Sequence, residues 1–144
     1  MTLGALVVAL AGGCAGNQSA TPGTGPGTGD IRLIGQEQYG GDEAAGYHIA
    51  PTAESLPPGR GEVAIAPDEK VVVIHGGTHA DGRYSMRVSA ERVRGSIQLT
   101  CRITVADAGS GTAFTQAIVR PWRAYAVPAA ASVVVDGCER AITD

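Results

Sequence analysis

The chain has 144 residues, enough for one domain of ordinary size and too few for two cores. With 44% hydrophobic and 17% charged residues it can bury a core and is not charge-driven disorder. A formal net charge of -3 and only 4% aromatics argue against a nucleic-acid binder, which needs clustered Lys and Arg or base-stacking rings.

The first feature in chain order is Leu3–Ala11, LGALVVALA, apolar or small throughout and free of charge. A bilayer span takes roughly 18 or more such residues, so this stretch has the length of a signal-peptide core instead. It runs into Ala11-Gly12-Gly13-Cys14, with Ala11 where a Leu is the commoner residue. This tetrad resembles the lipobox of bacterial lipoproteins, a resemblance confined to about the first 14 residues. It implies that residues 1–13 are removed as a signal peptide and that Cys14 is acylated as the mature N-terminus. The expected location is the extracytoplasmic face of the cell membrane, held there by lipid, with secretion as the alternative.

Residues 14–30 form that Cys and a linker, whose Ala15–Asp30 portion reads AGNQSATPGTGPGTGD and holds no hydrophobic larger than Ala. As a flexible coil it spans about 20 Å root-mean-square, enough to lift a domain off a bilayer. Cysteine counting agrees with export. Of three cysteines, lipidation of Cys14 leaves Cys101 and Cys138 as an even pair, expected to be bridged in an oxidising compartment. Two free thiols are the alternative in a reducing one.

The domain, Ile31–Asp144, reads as strands. A first strand is expected at Ile31–Ile34, followed by a long Gly/Pro-rich loop over Gly40–Gly61. Glu62–Ala66 and Val71–His75 are short β-branched runs separated by the polar turn Pro67–Lys70. Asp81-Gly82 suits a tight turn before Arg83–Ala90, where Tyr84, Met86 and Val88 alternate inward. The clearest strand is Ser96–Val105, with Ile97, Leu99, Cys101, Ile103 and Val105 on one face. After the turn cluster Ala106–Thr112, Ala113–Trp122 is expected as its hairpin partner, with Pro121 ending regular pairing. Ala124–Val127 is a further short pairing segment. Ser132–Val135 meets Asp136-Gly137, a hairpin signal that returns the chain as Cys138–Ile142. No segment sustains a 3.6-residue stripe. The expected fold is an all-β, antiparallel β-sandwich, immunoglobulin-like in architecture, with one disulfide between Cys101 and Cys138. The spacing of Trp122 from the two cysteines does not match immunoglobulin membership.

Candidate chemistry is sparse. His75 and His79 flank Gly76-Gly77-Thr78, and Asp81 follows, so a folded-back turn would bring three metal-ligating side chains together. On a straight strand the two histidines would sit about 13 Å apart. Without a CxxC, HxH or HExxH pattern no metal and no cofactor is assigned, leaving His75, His79 and Asp81 as the candidates. Three histidines are too few for a copper–zinc superoxide dismutase. His48 sits beside Tyr47, with Asp42 and Glu43 nearby, but no G-x-S-x-G elbow or S-x-x-K accompanies them. Arg83, Arg87, Arg92 and Arg94 read as a solvated strand face rather than an anion site.

The resulting expectation is a non-enzymatic, lipid-anchored envelope protein, partnered with the membrane through its lipid and with an unidentified envelope protein or polymer. An envelope metal-binding protein or small enzyme using the His48 or His75–His79 region is the competing class. A secreted inhibitor-type module docking through Thr52–Gly61 is a third.

Overall fold

The computed structural model describes residues 31–57, 63–107, 109, 111 and 113–143. The signal-like segment, Cys14, the linker, residues 58–61 of the Thr52–Gly61 loop and residue 62 of the expected strand Glu62–Ala66 lie outside them. Seven strands and one short 3-10 turn make up the described elements: β1 (Arg32–Glu37), β2 (Ala45–Ala50), the turn Ala53–Ser55, β3 (Glu69–Gly76), β4 (Tyr84–Val93), β5 (Ser96–Val105), β6 (Trp122–Pro128) and β7 (Val133–Thr143). They form a sandwich of two sheets, ordered β1-β6-β3-β2 and β4-β5-β7.

The main core lies between the sheets. Val72 and Ile74 of β3, with Tyr125 and Val127 of β6, face Met86 of β4 and Ile97, Leu99, Cys101 and Ile103 of β5. The strict alternation of β5 explains its half: odd-numbered residues from Ile97 to Ile103 are buried, while Ser96, Gln98, Thr100, Arg102 and Thr104 are not. A second, smaller cluster covers the opposite face of the four-stranded sheet. There Val71, Val73, Trp122 and Ala124 pack with Ile34, Leu56 and Ile65. β3 is therefore buried on both faces, which is why EKVVVIHG has an unbroken β-branched run instead of alternation. The bridge between Cys101 and Cys138 forms, with Cα atoms 5.0 Å apart.

Four departures from the sequence expectations have identifiable causes. Ala113–Trp122 does not pair with β5. Its first residues lie outside any strand, and the chain crosses to the other sheet, where β6 runs antiparallel to both β1 and β3. WRAYAVP is buried on both faces, so it suits a central strand better than the edge of a hairpin. Asp136-Gly137 is not a turn. The register passes from Cys101↔Gly137 to Ile103↔Ala141, and Gly137 (φ 92) and Cys138 (φ 53) absorb the extra residues as a bulge inside one strand. β7 consequently runs parallel to β5, so the sandwich contains one parallel pair where only antiparallel ones were expected. Finally, residues 63–66 form no strand, while the supposed loop Gly40–Gly61 contains β2, paired with β3 from Ala45↔Gly76 to Ala50↔Val71.

Candidate functional site

β2 changes the reading of the histidines. Its register sets His48 opposite Val73 and Gly46 opposite His75, so His48 and His75 are diagonal neighbours on the outer face of the four-stranded sheet. Their rings stack at 5.3 Å between centroids, 21° from parallel. On the other flank His75 is paired with Trp122 of β6, which is 1% exposed. The indole N–H donates to the Tyr39 carbonyl (3.0 Å) and ties the loop before β2 to this face.

That loop delivers Asp42. The Gly41 amide donates to the Arg120 carbonyl (2.9 Å), and the Arg120 amide to the Gln38 carbonyl (3.0 Å). A Cβ on Gly41 would approach the Arg120 carbonyl to 2.6 Å, so this backbone crossing requires glycine. The Arg120 guanidinium adds bonds to Glu43 Oε1 (2.9 Å) and Thr78 Oγ1 (3.2 Å). Asp42 is thereby held over His75. Its amide donates to His75 Nδ1 (3.0 Å), while its largely exposed carboxylate has Oδ2 3.5 Å from His75 Nε2.

His75 is 4% exposed, and its Nε2 is buried without a hydrogen-bond partner. Because Nδ1 accepts the Asp42 amide, the neutral ring carries its proton on Nε2. Burial pushes the imidazole below the usual histidine range; the Asp42 carboxylate opposes this and His48 adds to it. An unpaired buried N–H of this kind costs about 1–3 kcal/mol. One ligand atom each from Asp42, His48 and His75 lies within 4.8 Å of the other two, the metal-competent grouping found among the described residues.

The trio expected from the sequence is not what assembles. His75 belongs to this cluster, whereas His79 and Asp81 have other partners. His79 makes an isolated bridge with Val119, its Nε2–H donates to the Gly76 carbonyl (2.8 Å), and its ring stacks on Tyr84 at 4.6 Å. Asp81 accepts from the Arg83 amide (2.9 Å) and guanidinium (2.9 Å to Oδ2), which hold its carboxyl below the usual range. The turn at Gly76-Gly77 redirects the chain toward Val119 rather than folding His79 back on His75. Asp42 and His48 were visible in sequence as neighbours. Their convergence with His75 was not, because it depends on reading AGYHIA as a strand. Comparison with family models, curated proteins and solved structures finds no match for this chain.

Proposed function

We infer that the protein is a lipid-anchored, extracytoplasmic, non-catalytic binding domain. The observation that carries this reading is the disulfide: pairing Cys101 with Cys138 consumes two of three cysteines and leaves Cys14 as the odd one. That odd cysteine directly follows the apolar stretch and precedes a linker with nothing to bury. A bridged pair also suits an oxidising compartment. The linker places the sandwich above a bilayer surface, and its outer sheet face carries the stacked histidines beneath the exposed Asp42.

Mass spectrometry and membrane fractionation test the reading. The mature protein is expected to begin at Cys14 and to carry acyl chains, and Cys14→Ala to release the domain from membranes. An intact N-terminus in cytosolic protein overturns it, and cleaved but unacylated protein in the medium supports the secreted alternative instead.

A further inference from the structure

We propose that Asp42, His48 and His75 form a binding site for a first-row divalent transition metal of the Zn2+ type. The site does not depend on how the chain is anchored.

The spacing is the first argument. Metal–ligand bonds of about 2.0–2.1 Å at tetrahedral angles place neighbouring donor atoms roughly 3.4 Å apart. His75 Nε2 and Asp42 Oδ2 are 3.5 Å apart, long for a hydrogen bond between them and close to one edge of such a tetrahedron. One donor atom from each of Asp42, His48 and His75 lies within 4.8 Å of the other two. Closing that remaining gap takes rotation of one half-buried side chain on β2, the terminal strand of its sheet in the described order.

The second argument is the buried nitrogen. His75 Nε2 has no hydrogen-bond partner, although buried polar atoms almost always have one. A metal ion supplies the missing interaction once Nε2 presents its lone pair in place of its proton. Two imidazoles and one carboxylate are also a donor set that favours Zn2+, Cu2+ or Ni2+ over Ca2+ and Mg2+, which prefer oxygen. Because Asp42 is exposed and His48 only half-buried, the remaining coordination positions open toward solvent.

Proton balance sets how the site loads. Nε2 gives up its proton when it takes the metal, and a proton on Nδ1 restores the neutral ring. The Asp42 amide then loses its acceptor and turns to water, which an exposed residue permits.

The test uses full-length, disulfide-bonded protein without a polyhistidine tag, with the Cys14 thiol alkylated. Zn2+ affinity is measured by competition against a chromophoric chelator, and Co2+ by its visible absorption. One equivalent of Zn2+ is expected to bind, with a Co2+ spectrum of four- or five-coordinate intensity. His48→Ala and Asp42→Asn, both at accessible positions, should each weaken Zn2+ binding by about tenfold or more. Circular dichroism confirms that both variants keep the parent fold. The buried His75→Gln serves as a third variant only if it folds. Absence of Zn2+ binding at millimolar concentration overturns the proposal. So does binding that both surface variants leave unchanged.

Discussion

Arg32 and Glu69 are joined across the width of a strand: β6 lies between β1 and β3, yet the guanidinium reaches Glu69 through bonds of 3.1 and 2.7 Å. Glu69 is only 6% exposed and also accepts from the Ala66 amide at 2.9 Å. The carboxylate therefore clamps the first strand, the segment before β3 and β3 itself.

The clamp should make stability depend on pH. The Arg32 hydrogen bond holds the Glu69 carboxyl below its usual range against the opposing effect of burial. A carboxyl lowered in the fold stabilises it above the unfolded value, and that contribution is lost as pH falls through the folded one. Glu69→Gln is expected to cost about 2 kcal/mol near neutral pH. The gap from the parent should close below about pH 4, as read from urea midpoints across a pH series. A gap that persists in acid would show that shape, not charge, is what Glu69 contributes.

Gly35 lies beneath the indole of Trp122, and a Cβ there would come within 2.8 Å of the ring. Gly35→Ala should displace the ring and destabilise by about 1–3 kcal/mol. Trp122 is the chain's single tryptophan, so fluorescence excited at the red edge, where the four tyrosines do not absorb, reports on it alone. A red-shifted emission with a lower midpoint is expected, and an unchanged spectrum counts against the close packing.

Removing both bridged cysteines as Cys101→Ala with Cys138→Ala opens a 37-residue separation. The chain-entropy argument sets the loss at about 4 kcal/mol. Denaturant unfolding measures it, and the β-type circular dichroism should survive at low denaturant.

Gly137 adopts φ 92 where a Cβ would run into the Cys101 carbonyl. Gly137→Ala should cost about 1–3 kcal/mol from backbone strain alone. It should also slow formation of the neighbouring bridge during oxidative refolding, followed by alkylation and mass. Refolding at the parent rate would mean that the bulge does not position Cys138.

Local patterning made β5 legible because alternate burial leaves a period-two trace from Ile97 to Ile103. β3 was legible for a different reason, its continuous β-branched run Val71–Ile74 between turn residues. β6 was not, since Trp122–Pro128 is apolar on both faces and carries no alternation to separate it from a short pairing segment. Asp136-Gly137 carries hairpin chemistry, yet its positive φ serves a bulge; both uses need the same glycine freedom, and only long-range pairing distinguishes them. The site shared this limit. Asp42 and His48 are six residues apart, but His75 joins them through the β2–β3 register, which no local spacing encodes. Arg94-Gly95 likewise went unread as the hairpin between β4 and β5, where positive φ at both positions matches a two-residue turn.

The chain leaves the three-stranded sheet after β5, contributes β6 to the middle of the other sheet, and returns as β7. The bridge between Cys101 and Cys138 joins the two ends of this excursion, so β6 lies inside a covalent ring. A single proteolytic cut anywhere in that ring, including the exposed stretch around Ile118, severs the backbone without parting the two pieces. The amino-terminal piece keeps Cys101 and the carboxy-terminal piece keeps Cys138. The protein thus has a built-in tolerance of nicking across its longest inter-sheet crossing, and full separation of the fragments requires a reductant as well as a protease.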